Sequence, residues 1–244
     1  MSKVYFISDV HLGLESRERE RAKEERLLAF LNRTMADASQ LFIVGDLFDT
    51  WIEYRTVIPK GFHRVLAKLD DIAHNGTAVH YLTGNHDFWI RDYFRDELGI
   101  TTHTDPFPVT IDGKKVFIHH GDGLAPNDAG YRILRKVLRN RLNRWLYSWI
   151  HPDIGISLAR GSSKKSRGYT AQKDYGEQDG MQRYAERKIA EGFDIVVMGH
   201  LHEPVYQVLG SSVYINLGDW ITYNTFAEMS DGRIELKTWG ERKL

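Results

Sequence analysis

Five short polar clusters in this chain carry the residue types that hold metal ions. They are Asp9-Val10-His11, Gly45-Asp46, Gly84-Asn85-His86-Asp87, His119-His120-Gly121-Asp122 and Gly199-His200-Leu201-His202. Taken one at a time, each has an ordinary reading. Asp, Asn and Gly favour turns, and a His beside them can simply be solvated. Taken together they are harder to dismiss, because each follows directly on a short apolar run. A purely structural account would need five separate polar clusters at the ends of buried segments, each costly unless satisfied. One shared pair of metal ions satisfies all five. The chain has no cysteine, so ligands must come from His, Asp, Glu, Asn or backbone oxygen. That donor set suits Mn²⁺, with Mg²⁺, Fe or Zn²⁺ as alternatives.

The apolar runs read as strands. β-branched and aromatic residues concentrate at 4–8, 41–44, 78–82, 115–119 and 194–198, and later at 205–209, 212–216, 223–229 and 233–239. The first five end in the polar clusters, and strand C-terminal ends are where α/β sheets assemble sites. Glycine beside a ligand permits a tight turn and close backbone approach. Gly210-Ser211 and Ser230-Asp231-Gly232 separate the last two pairs as hairpin turns, so a meander is expected there. Helical periodicity appears at 18–35, 61–73 and 178–191. Strands alternating with helices, then hairpins, predict an α/β (α+β) sandwich of two mixed sheets with helices outside. The whole chain, 1–244, reads as a single domain.

Residues 124–175 interrupt this rhythm. Tyr131, Leu134, Leu138, Leu142, Trp145 and Trp149 recur at helical spacing with arginines between them. One amphipathic basic helix is expected, followed by a loop over 161–168. From 127 to 168, ten Lys and Arg oppose two Asp, a local excess of +8 in a chain whose formal net charge is zero. The apolar stripe would pack the helix onto the sandwich. The charge asymmetry is a clue to the partners of this segment. Hydrophobic content of 42% and charged content of 27% are those of a soluble globular protein. No apolar run approaches the ~18 residues of a membrane span. The N-terminal residues lack a secretory pattern, so the expected location is cytoplasmic.

The ordered series Asp-x-His, Gly-Asp, Gly-Asn-His-Asp, His-Gly-Asp, Gly-His-x-His resembles the calcineurin-like metallophosphoesterase superfamily. The resemblance spans residues 7 to 202 and implies the metallo-dependent phosphatase fold. It implies one metal held by Asp9, His11, Asp46 and His202, and a second by Asp46, Asn85, His120 and His200, with Asp46 bridging. Two such ions clamp the attacking and leaving oxygens of an in-line phosphoryl displacement. His86 would stabilise charge or protonate the leaving oxygen, with Asp87 orienting it. His119 is expected to pack on its strand.

Residues 45–54, 84–100 and 119–141 are further similar to the UDP-2,3-diacylglucosamine pyrophosphohydrolase group of lipid A biosynthesis, notably in the Asp128-x-x-Tyr131-x-x-x-Arg135 spacing. That similarity implies a lipid-linked nucleotide substrate, products UMP and the acylated sugar 1-phosphate, and an inserted helical cap that receives acyl chains. Substrate contacts would come from Asn85, Asp128, Tyr131 and Arg135, with Arg160, Lys164, Lys165 and Arg167 adding phosphate contacts. Peripheral association with the inner membrane surface would follow. His86 is a departure, since the group's better-known members carry Arg there. Two rivals stay open. A nucleic-acid phosphodiesterase would use the basic, aromatic insertion as a strand-binding groove, although helical spacing with Leu argues against it. A non-catalytic scaffold would have lost ligands, and none is missing.

Overall fold

The computed structural model describes residues 2–127, 129–170 and 176–240, the last seven residues of the second stretch by backbone only. The first half runs β1 (Lys3–Ile7), α1 (Arg17–Thr34), β2 (Ala38–Val44), α2 (His63–His74), β3 (Ala78–Leu82), α3 (Tyr93–Asp96), β4 (Thr101–His103), β5 (Phe107–Ile111) and β6 (Lys114–His119). Then come α4 (Ala129–Arg139), α5 (Arg141–Tyr147), α6 (Pro152–Thr170), α7 (Glu177–Ala190), β7 (Ile195–Met198), β8 (Pro204–Leu209), β9 (Ser212–Leu217), β10 (Thr225–Ser230) and β11 (Arg233–Thr238).

The strands form two mixed sheets, ordered β11-β10-β1-β2-β3-β4 and β5-β6-β7-β9-β8. Side chains alternate along each strand, so a strand covered on both faces serves two cores. Val4 and Phe6 of β1 join Phe42, Val44 and Leu82 against Val116, Ile118, Ile195 and Val197 of the facing sheet. Tyr5 and Ile7 point the other way, onto Leu27, Phe30 and Leu31 of α1 and Val65, Leu69 and Ile72 of α2. β7 divides likewise, with Val196 and Met198 meeting Met181 and Ala185 of α7. The expected sandwich with outer helices is the observed one.

Several local expectations change. β8–β9 and β10–β11 are antiparallel hairpins, but they belong to different sheets rather than to one meander. β4 and β5 escaped the sequence reading. β4 is three polar residues long, and β5 contains Pro108, which is tolerated because the strand lies at a sheet edge. The single basic helix breaks at Asn140, whose side-chain oxygen caps α5 by accepting from Leu142 N at 2.9 Å. The loop expected over 161–168 is instead part of α6, which starts with Pro152 at its first turn.

β1, β2 and β3 run parallel, as do β6, β7 and β9. Their C-terminal ends therefore bring the five polar clusters to the same edge of the sandwich.

Candidate metal centre

The loops after β1 and β2 are stitched by Asp9 N to Gly45 O at 3.2 Å, His11 N to Asp46 O at 3.0 Å and Leu12 N to Leu47 O at 2.9 Å. The β6 and β7 loops are joined by Gly199 N to His120 O at 2.9 Å. Two glycines make these approaches possible. A Cβ on Gly84 would overlap the Asp46 carboxylate, and one on Gly199 would overlap Ser8 Oγ and approach Asp9. Asp9, His11, Asp46, His200 and His202 all adopt positive φ, between 48° and 71°. Non-glycine residues rarely hold that conformation, and it clusters at functional sites.

Three groups of ligand atoms converge. Asp9, His11 and His202 form one, Asp46, His120 and His200 another, and His11, Asp46 and His86 a third between them. Asp9 Oδ2 accepts from His200 N at 2.8 Å and lies 2.5 Å from Ser8 Oγ, which leaves Oδ1 facing inward. That Oδ1 is 3.6 Å from His11 Nε2 and 3.7 Å from His202 Nε2. Asp46 Oδ1 accepts from His86 N at 2.9 Å, and its Oδ2 lies 3.3 Å from His120 Nε2 and 3.7 Å from His11 Nε2. His120 directs Nδ1 at the Val44 carbonyl, 2.9 Å away, which turns Nε2 toward Asn85 Oδ1 at 3.0 Å. A ring held through one nitrogen presents the other as a ligand.

The donor set fits divalent cations. Among the described residues, Asp9 Oδ1 and both ring nitrogens of His11 are buried without a hydrogen-bond partner, an arrangement normally costly. Charge points the same way. Burial opposes ionisation of Asp9, yet His11 and His202 outweigh it and bring its carboxyl down to about 2. Burial also opposes charge on Asp46, and His120 and His86 hold it well below the usual range. Burial would neutralise His11, but Asp49 and Asp9 lift it to about 9. His120 reaches about 10, its burial outweighed by Asp46. The carboxylates demand cationic charge, which a bound dication supplies at the cost of those imidazole protons.

His86 sits beside this cluster. Its burial, despite Asp46, lowers its pKa. Its Nδ1 is 3.0 Å from the Asp49 carbonyl and 3.1 Å from Ser163 Oγ on α6. Asp87 does not orient it, contrary to expectation. The Asp87 carboxylate is buried and accepts from Gly84 N at 2.8 Å, Leu47 N at 2.9 Å and the Tyr81 hydroxyl. Burial and the Asp46 charge raise its pKa to about 6. Asp87 thus ties the β2 and β3 loops together. His119 is buried against the Tyr184 ring, and burial pulls its pKa down to about 3.

The supporting residues were less visible in sequence. Asp49 Oδ1 is 3.5 Å from His11 Nδ1, and Asp219 Oδ2 is 3.4 Å from His202 Nδ1. Asp219 had a signal, for Gly218-Asp219 follows the buried run of β9 just as the other clusters follow theirs. Lys23 on α1 is fully buried. It donates to the His11 carbonyl at 2.7 Å and pairs with Glu20 at 2.8 Å. Glu20 in turn accepts from Gly13 N and Glu15 N, so α1 fixes the loop that carries His11.

The substrate-contact expectations divide. Asn85 lies in the centre. Tyr131 and Arg135 are both engaged by Asp122, at 3.0 Å and 2.9 Å. Arg160 is exposed on α6. Asp128 and the side chains of Lys164, Lys165 and Arg167 lie outside the described residues. The helices between β6 and β7 are docked by their arginines. Arg132 donates to Ala125 O, Arg139 to Gly84 O and Arg144 to Ile90 O. In α4 and α5 the larger aliphatic residues and tryptophans face outward, with Ile133 65% and Trp149 75% exposed, while Tyr147, Ile156 and Ala159 pack against Ile52, Tyr54 and Trp89. Packing of Leu134, Leu138 and Trp145 onto the sandwich is therefore not what holds α4 and α5. No helix among the described residues is long and apolar enough to cross a membrane.

Two mixed sheets with Asp, Asn and His gathered at their strand ends define a metal-dependent hydrolase of phosphoesters or phosphoric anhydrides. The chain belongs to the calcineurin-like phosphoesterase family, whose model matches residues 2–204. A UDP-2,3-diacylglucosamine hydrolase from Porphyromonas gingivalis is 35% identical, over 93% of each chain. One from Pseudomonas aeruginosa is 34% identical over 89% of this chain and 90% of its own. Among solved structures, an archaeal phosphodiesterase aligns over 96% of this chain and 98% of its own. It is 14% identical, with a TM-score of 0.49.

Proposed function

We propose that this protein hydrolyses the pyrophosphate of UDP-2,3-diacylglucosamine to UMP and 2,3-diacylglucosamine 1-phosphate. The relatives bearing that activity in their names support the reading, since they align over about nine-tenths of the chain. The observation that carries it is the outward apolar band of α4–α6 beside a candidate dimetal centre. A water-soluble nucleotide would not need such a surface, whereas two acyl chains would.

In this reading, Asp9, His11, Asp46 and His202 hold one divalent ion, and Asp46, Asn85, His120 and His200 the other, with manganese the preferred metal. Bound ions would supply charge neutralisation at the phosphoryl oxygens and a lowered pKa for the attacking water. His86 would hold or move a proton at Nε2, the ring nitrogen not engaged by Asp49 and Ser163. Asp49 and Asp219 would set the ring orientations of His11 and His202. Residues 124–175 would act as the cap of a single domain, and their apolar band would receive acyl chains and rest on the membrane surface.

The test is a two-substrate assay with added Mn²⁺. UMP release from the lipid should exceed turnover of bis-p-nitrophenyl phosphate, and Asp46→Ala should abolish both. Diester turnover without UMP release would overturn the lipid substrate while keeping the hydrolase.

A further inference from the structure

Among the buried charges that the chemistry at the strand ends does not use is that of Asp122. Asp122 lies two residues beyond His120 and is 1% exposed. Its Oδ2 faces three donors from one helix. They are the Tyr131 hydroxyl at 3.0 Å, Arg135 Nε at 2.9 Å and an Arg139 guanidinium nitrogen at 3.3 Å. Residues 131, 135 and 139 are spaced four apart, so they form one stripe along α4. Arg135 also donates to the Asp122 carbonyl at 3.3 Å. Arg139 reaches on to the Gly84 carbonyl at 3.0 Å, one residue before Asn85.

Nothing apolar competes with this attachment. α4 has no buried residue, and Ile133, Leu134, Val137 and Leu138 are all exposed. A helix that buries no apolar face must be held by polar contacts, and here three of them converge on a single oxygen.

We propose that Asp122 is the positioning residue that sets α4 over the metal centre. Its carboxylate gathers Tyr131, Arg135 and Arg139, and Arg139 carries the registration to the loop bearing Asn85 and His86. A substrate spanning from the metals to the helices depends on this contact. A small diester that meets only the metals does not. The substrate part of this inference rests on the lipid-linked reading above, and the positioning part does not.

The experiment compares Asp122→Asn with the parent protein as full chains. Backbone amide exchange in α4 should quicken about tenfold or more, as expected for losing charged hydrogen bonds, while β7 and α7 are unchanged. Bound metal, counted by elemental analysis, should stay at the parent level. The ratio of kcat/KM for UDP-2,3-diacylglucosamine to that for bis-p-nitrophenyl phosphate should fall about tenfold. Should Asp122→Asn fail to fold, Arg139→Gln removes one arm from the helix side, and Arg139→Lys should retain part of the effect. Unchanged α4 exchange in both variants that fold would overturn the proposal. So would loss of metal with an equal loss on both substrates, since Asp122 would then serve the metals directly. If the parent releases no UMP, the substrate reading fails, and amide exchange alone still decides the positioning role.

Discussion

The sandwich and the α4 helix are built on opposite plans. In the sandwich, Phe30 is 1% exposed and its ring contacts Tyr5, Trp220, Phe226 and Trp239. Asp and His of the candidate metal centre gather at its strand ends. In α4 and α5 the arginines turn inward to carbonyls and to Asp122, while leucines and tryptophans face out. Burial of apolar area drives the first region. Charged hydrogen bonds hold α4, and in α5 and α6 they are joined by Tyr147, Ile156 and Ala159 packing on Ile52, Tyr54 and Trp89. A helix docked this way can shift without opening a core, whereas the sandwich cannot.

The contrast makes graded predictions. Phe30→Ala should cost about 3–5 kcal/mol in urea unfolding. Leu142→Ala, at a side chain 61% exposed, should stay within about 0.5 kcal/mol. A comparable cost at Leu142 would break the comparison. Next in size, Lys23→Met removes the donor to the His11 carbonyl. Metal affinity measured by calorimetric titration should fall about 10–100-fold, the range for outer-shell partners. An unchanged affinity would mean α1 does not hold the ligand loop.

A smaller effect is expected on the outward face. Ile133→Ser with Trp149→Ser should weaken co-sedimentation with anionic lipid vesicles about tenfold, with no change in the unfolding midpoint. Equal sedimentation would remove the membrane role from that surface. The smallest effect belongs to the rim of the sandwich. Burial would raise the Glu228 pKa, but Lys237 and Lys3 hold it below the ordinary 4.5. A carboxylate with a depressed folded-state pKa stabilises above its unfolded value and loses that contribution as pH falls through the folded one. Glu228→Gln should therefore lower stability by about 0.5 kcal/mol at pH 7, and calorimetry should show the difference vanishing in acid.

The sandwich and the gathering of the candidate ligands were legible because their causes are local. A buried run followed by Gly and a polar cluster marks a parallel strand and its site in the same few residues. Asp49 and Lys23 were not legible, since each acts through a ring or carbonyl supplied by a different loop. The direction of α4 was not legible either. Periodicity shows that leucines and arginines occupy different faces, but not which face meets the protein. Glycine misled at 161–168, where intrinsic preference for loop gave way to the continuing helix. Gly155, in the same helix, is there because a Cβ would overlap the Tyr54 hydroxyl.

The left-handed backbone at Asp9, His11, Asp46, His200 and His202 also limits the alphabet from which the site can be written. Outside glycine, that conformation is most open to Asn, Asp and His. Those three happen to be nitrogen and oxygen ligands for divalent ions. Glutamate coordinates as well as aspartate but is not among those favoured there, and none occurs among the seven candidate ligands. Drift at these positions is thus squeezed from two sides, by what the chain can bend through and by what an ion accepts. A single exchange, even between two good ligands, has to satisfy both.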